Sequence, residues 1–171
     1  FPSTCFIRKP EQIDYLQEPD IFHDVFGHVP LLINPLFADY MQHYGQAGLK
    51  ALGQDCLHRL ARLYWYTVEF GLIQTDEGLR TYGAGIVSSY SETIYCVEDK
   101  RPNRVMFDLK RVMRTNYRID DFQETYFVIP SFEALFDATN VQDFQPVYQE
   151  LEKQKDFEAG DILATDKLIL I

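Results

Sequence analysis

The chain has 171 residues, 46% of them hydrophobic and 15% aromatic, enough apolar material for one packed domain and too much for a disordered segment. Its formal net charge of −10 argues against a nucleic-acid binder, because phosphate contacts draw on clustered Lys and Arg. Three cysteines with no CxxC spacing favour a reducing, cytoplasmic setting over a disulfide framework, and no apolar run approaches the ~20 residues that span a bilayer.

Residues 1–19 read as extended or irregular, with prolines at Pro2, Pro10 and Pro19. The opening Phe1-Pro2-Ser3-Thr4-Cys5-Phe6 has the character of a domain interior. The expectation is a single catalytic domain over 1–171 that is N-terminally incomplete, with any targeting segment upstream. Arg8 is a cation in apolar surroundings. Read from the residues, a surface charge is favoured over a bidentate clamp for a carboxylate.

The stretch Pro19-Asp20-Ile21-Phe22-His23-Asp24-Val25-Phe26-Gly27-His28-Val29-Pro30 carries two histidines five residues apart. In a straight α-helix such positions lie about 140° apart, since each residue turns about 100°. Gly27 can loosen the final turn, and Pro30 disfavours helix at Val29. A short helix from about Asp20 with a distorted end would let both rings reach one metal. The spacing is not the His-Glu-x-x-His of zinc proteases.

Asn34-Pro35 reads as an N-cap followed by proline at the first helical position. Leu36, Phe37, Tyr40, Met41 and Tyr44 continue with helical spacing, and Gly45 is expected to end the segment. Ala47 to Leu52 would add a short helical piece. His43 falls off the apolar face and is expected in solvent.

A long helix is expected from about Gln54 to Ile73, with Leu57, Leu60, Ala61, Tyr64, Val68 and Leu72 as its apolar stripe. Trp65 and Glu69 lie at the edge of that stripe, and His58 well away from it. A carboxylate in so apolar a run is costly to bury unless it is paired or binds a metal. With His23 and His28 it completes a two-histidine, one-carboxylate set of the kind used by non-haem Fe(II) oxygenases. Core histidines with no ligand role, and a zinc hydrolase on the same three groups, remain as competing readings.

Thr75 to Gly78 reads as a turn. In Tyr82-Gly83-Ala84-Gly85-Ile86-Val87-Ser88-Ser89, Ser88 stands where a dinucleotide loop needs its third glycine, and no βαβ unit supports that reading. The glycines allow close backbone approach to a ligand, and the two serines offer hydroxyls. Glu92, Tyr95 and Cys96 fall on a short helix. Pro102-Asn103 is a break, Phe107 to Thr115 a basic-faced helix, and Tyr117 to Asp121 a loop. Thr125 to Ile129 has strand composition. Ser131 caps a helix through Phe136, and a solvated helix covers about Phe144 to Gln154. The tail 157–171 is weakly patterned, and no repeat, low-complexity tract or second domain boundary is visible.

Three stretches together resemble the pterin-dependent aromatic amino acid hydroxylases: Glu18 to Leu31, Leu63 to Leu72, and Tyr82 to Ser89. They stand in that family's order and spacing, and the similarity runs through almost the whole chain. Leu32-Ile33-Asn34-Pro35 and the short C-terminal tail look like the bacterial, phenylalanine-hydroxylating members. The resemblance implies a mostly helical basket with a few short strands. It implies Fe(II) held by His23, His28 and Glu69, with Arg8 on the substrate carboxylate and Asp20 orienting Arg8. Pro19, Trp65, Phe70, Gly85, Ser88 and Ser89 would line the substrate pocket, and Ser88 would also support His23. Asp24, Ala61, Tyr64 and Glu92 would lie on the pterin side. Ile119 would give a phenolic hydroxyl no polar partner.

The activity implied is O2- and tetrahydropterin-dependent hydroxylation of L-phenylalanine to L-tyrosine in phenylalanine catabolism. Tyrosine or tryptophan hydroxylation is the runner-up. The family's pterin-stacking aromatic would lie upstream of Phe1. The regulatory domain and C-terminal oligomerisation helix of animal members have no counterpart, which implies a monomer.

Overall fold

The computed structural model describes residues 5–14, 18–140 and 143–171. Parts of the expected lead-in, at 1–4 and 15–17, lie outside the described residues. The architecture is helix-rich with one small sheet. Helices α1 (Pro35–Lys50), α2 (Leu57–Tyr64), α3 (Ala84–Val87), α4 (Tyr90–Glu98), α5 (Leu109–Met113), α6 (Phe132–Thr139) and α7 (Gln145–Glu152) surround strands β1 (Leu72–Thr75), β2 (Gly78–Thr81), β3 (Asn103–Met106) and β4 (Thr125–Ile129). Among the described residues, no helix is long and apolar enough to cross a membrane.

The sheet runs in the order β2-β1-β4-β3. β1 and β2 form an antiparallel hairpin, while β4 pairs in parallel with both β1 and β3. Parallel pairing buries both faces of a strand, and β4 is buried at all five positions, with Tyr126, Phe127, Val128 and Ile129 at 0% exposure. One apolar cluster joins Leu60, Leu63 and Tyr66 of the α2 region to Val112, Phe127 and Leu151. A second joins Phe37 and Tyr40 to Val68, Tyr82 and Leu135, and Phe107 packs against both.

Helix α1 begins as its residues dictate: the Asn34 side chain accepts from the amides of Leu36 (3.0 Å) and Phe37 (3.3 Å). It does not end at Gly45. It continues through Gly48 to Lys50 and absorbs the first part, Ala47 to Lys50, of the piece expected at Ala47 to Leu52. A helical glycine costs about 1 kcal/mol, which the packing of Phe37, Tyr40 and Tyr44 outweighs.

The long helix expected over Gln54 to Ile73 is three elements instead. α2 gives way to a π-turn at Trp65–Glu69, and Leu72 opens β1. The core face is also rotated from the expected stripe. Leu57 is 42% exposed, while Leu60, Leu63 and Tyr66 are buried. β3 was not visible in the sequence, and the helix expected over Phe107 to Thr115 shortens to α5. Its face is not simply basic and solvated. Arg111 is buried in an ion pair with Asp166 at 3.0 Å, and Phe157 lies 4.7 Å from the guanidinium carbon. Ser131 caps α6 as expected, by accepting from the Ala134 amide at 3.1 Å, but the helix runs on to Thr139.

Candidate functional site

Both histidines lie on one π-turn, His23–His28. Its hydrogen bonding steps by five residues, as in Val29 N–H to the Asp24 carbonyl. That step brings residues five apart toward one face, which an α-turn cannot do. Asp20 begins the segment, accepting from the His23 amide at 2.9 Å. Glu69 ends the second π-turn, where Phe70 N–H bonds the Trp65 carbonyl at 2.8 Å. Thr67 helps to open it, because its hydroxyl takes the Leu63 carbonyl at 2.6 Å. Gly83 closes the arrangement from below: a Cβ there would overlap the Glu69 carbonyl oxygen.

The three side chains converge. His23 Nε2 is 3.0 Å from His28 Nε2 and 3.4 Å from Glu69 Oε2, and His28 Nε2 is 3.3 Å from Glu69 Oε1. All three ligand atoms fall within 4.8 Å of one another, the one such group among the described residues. Burial pushes the His23 imidazole below its ordinary pKa, against the pull of the Glu69 carboxylate. A neutral imidazole is the form that binds metal. The donor set therefore fits a divalent first-row ion with open positions left for other ligands.

A cavity of about 320 Å³ opens beside the triad. His23 and Glu69 reach it at one end. Pro19, Trp65, Phe70 and Gly85 give it apolar walls, and Trp65 packs on Phe70 at 4.7 Å between ring centroids. Gly85 admits the Phe70 ring, which a Cβ would meet at 2.7 Å. Arg8, Ser88, Ser89 and Glu92 supply the polar lining. Asp14, Arg118, Asp121 and Gln123 line it as well. The sequence had not singled these four out, since each looks like an ordinary loop polar residue.

Arg8 is no surface cation: its side chain is 6% exposed and paired with the fully buried Asp20. Its fork is spent on Asp20, with Nε to Oδ2 at 3.0 Å and Nη2 to Oδ1 at 2.8 Å. Nη1 donates to the carbonyls of Ile13 (3.1 Å) and Ser88 (2.5 Å). Of five N–H groups, one on Nη2 remains for a ligand. The serine hydroxyls are also engaged. Ser88 Oγ donates to the Ala84 carbonyl (2.7 Å) and faces His23 Nδ1 (2.9 Å), while Ser89 Oγ donates to the Asp14 carbonyl (2.6 Å).

The remaining expected site residues divide. Glu92 shares the cavity with Arg8, whereas Asp24, Ala61 and Tyr64 do not line it. Tyr64 is near Glu69, whose carboxylate joins burial in holding the phenol above its ordinary pKa. Ile119 lines the cavity but is 62% exposed.

A family model described as biopterin-dependent aromatic amino acid hydroxylase matches residues 1–159. The phenylalanine-4-hydroxylase of Ralstonia nicotianae is 63% identical over 169 residues, covering 99% of this chain and 54% of that protein. That of Chromobacterium violaceum is 62% identical over 170 residues, covering 99% and 57%. The chain thus spans about half the length of these curated relatives. A crystal structure of the Chromobacterium violaceum enzyme with bound iron(III) and oxidised 7,8-dihydrobiopterin superposes with a TM-score of 0.90 at 60% identity, covering 96% of this chain and 58% of that one. One with iron and phenylalanine gives 0.89 at 58% identity, covering 96% and 59%.

Proposed function

The chain belongs to the biopterin-dependent aromatic amino acid hydroxylases, and on that premise we propose that it carries the catalytic site of an iron- and tetrahydropterin-dependent monooxygenase converting L-phenylalanine to L-tyrosine with O2. The observation that carries the reading is the His23, His28 and Glu69 triad at the end of an aromatic-walled cavity. Relatives named phenylalanine-4-hydroxylase at 59–63% identity support the substrate.

His23, His28 and Glu69 would hold Fe(II). Together the iron and the reduced pterin supply the activation of O2. The chain's own residues do the rest. Ser88 holds the His23 ring by its Nδ1. Asp20 holds Arg8, whose remaining Nη2 N–H takes the substrate carboxylate. Pro19, Trp65, Phe70 and Gly85 hold the aromatic ring and keep bulk water from the reacting face. Asp24, Ala61 and Tyr64 remain on the pterin side in this reading. Ile119 is open to water, so a hydroxyl beside it keeps its hydration, and Ile119 alone gives phenylalanine little advantage over tyrosine.

The reading extends to a single catalytic domain acting as a cytoplasmic monomer. Phe107, shared between two apolar clusters, supports one domain, and the free Cys5, Cys56 and Cys96 suit a reducing compartment.

The test uses the full-length protein with Fe(II), O2 and a tetrahydropterin, and phenylalanine, tyrosine and tryptophan in competition. Tyrosine formed from phenylalanine should be the fastest product by chromatography. Faster dihydroxyphenylalanine or hydroxytryptophan would overturn the substrate. His23→Ala, His28→Ala and Glu69→Ala should each lose iron, and one iron per chain in any of them removes that residue from the site.

A further inference from the structure

The cavity contains a buried carboxylate to which the triad and its chemistry assign no role. Glu92 is 5% exposed and lies in the first turn of α4. Its Oε1 accepts from the Tyr126 hydroxyl at 2.7 Å and, more weakly, from the Gln123 amide at 3.5 Å. The groups acting on it are Tyr126, Gln123 and Asp121, none of them cationic. A buried carboxylate with no counter-charge is costly.

One short turn links the two residues. Arg8 Nη1 donates to the Ser88 carbonyl at 2.5 Å, and Ser89 Oγ accepts from the backbone amide of Glu92 at 3.3 Å. Arg8 by its guanidinium and Glu92 by its backbone thus border Ser88-Ser89, and both residues line the cavity. The other carboxylates there are differently committed. Glu69 faces the two imidazoles, and Asp14 Oδ1 holds the amide and hydroxyl of Ser91. Asp121 is exposed and 3.7 Å from Arg118.

We propose that Glu92 binds the α-ammonium of the amino acid substrate while Arg8 binds its α-carboxylate. An α-amino acid carries both charges on one carbon, so a cation and an anion lining one cavity match it as a pair. The proposal moves Glu92 from the pterin side, where the sequence resemblance had put it, to the substrate. It rests on the reading of the cavity as an amino acid pocket. Burial lifts the Glu92 carboxyl to about 7, against the bonds from Tyr126 and Gln123, so an arriving ammonium would favour its ionised form.

The test is calorimetric binding of phenylalanine and of 3-phenylpropanoate, which lacks the amino group, to the full-length iron-loaded protein. Glu92→Gln keeps an oxygen for Tyr126 and removes the charge. It should weaken phenylalanine binding by about 10- to 100-fold, the span of a charged hydrogen bond, and leave 3-phenylpropanoate binding unchanged. Equal losses for both ligands would reduce Glu92 to a scaffold role and overturn the proposal, as would no loss for phenylalanine. In the unaltered protein phenylalanine should bind at least about tenfold more tightly than 3-phenylpropanoate. Equal binding there overturns the proposal without any variant. If the unaltered protein binds neither ligand, the amino acid pocket itself falls, and the role of Glu92 with it.

Discussion

The Nδ1 of His23 lies 2.9 Å from Ser88 Oγ, and that hydroxyl donates to the Ala84 carbonyl at 2.7 Å. A hydroxyl has one proton to give. Ser88 must therefore accept from His23, which puts the imidazole proton on Nδ1 and the lone pair on Nε2, toward His28 and Glu69. The polarity of the chain Ala84–Ser88–His23 thus sets the tautomer that a metal requires.

Ser88→Ala should lower metal affinity by about 10- to 100-fold, the usual cost of losing a group that orients a ligating histidine. A titration in competition with a chelator measures it, with circular dichroism as the control for folding. Unchanged affinity would make Ser88 a packing residue only.

Arg8→Ala should do more than weaken substrate binding. Asp20 is fully buried, and removing its partner strands a charge, at a cost of about 3–5 kcal/mol. The double variant Arg8→Ala, Asp20→Ala should be more stable than Arg8→Ala alone. Urea unfolding of the three proteins checks both statements. Burial raises the Asp20 carboxyl, but Arg8 and the amides of His23 and Arg8 outweigh it and hold the group well below its ordinary value. Its contribution is therefore complete above about pH 4 and declines as the pH falls further.

Glu92 should give the opposite slope. Its carboxyl lies at about 7 in the folded chain, so the native state binds a proton that the unfolded state releases near 4.5. Stability should fall as the pH rises between those values, by an amount on the order of 3 kcal/mol once the group is fully ionised. Glu92→Gln should flatten the decline. Melting profiles of both proteins from pH 4.5 to about 8 decide it, and parallel profiles would count against a buried, raised carboxyl.

How much of this was legible in the residues depends on the range of the cause. The Asn34 and Ser131 caps and the β4 strand follow from local chemistry, and the sequence shows them. The end of α1 does not, because long-range packing overrides the weak local preference of Gly45. Nor does β3, a strand held by the distant β4 on one side and by the segment around Leu168 on the other. A helical wheel puts Glu69 beside the core, but the π-turn at Trp65–Glu69 does not follow that wheel. Arg8 shows the limit most clearly. Its burial depends on Asp20 twelve residues away and on the Ser88 carbonyl eighty away, and no local pattern announces either. The metal triad could be nominated from residue types, and a distorted helix end from Gly27 and Pro30, but the π-turn that is the means of bringing His23 and His28 together could not.

That means is a change of winding, and it carries a consequence of its own. A π-turn accommodates one residue more than the α-helix it interrupts. Taking out the exposed Val25 should restore ordinary winding and leave the two histidines four apart, still on one face of an α-turn. The same removal from ordinary helix, where no residue is surplus, would turn one ligand by about 100° from the other. A variant lacking Val25 should therefore still retain metal at one equivalent, as a calorimetric titration would read, and loss of the metal would show that the turn cannot rewind. The site tolerates a shorter segment provided that count and winding change together.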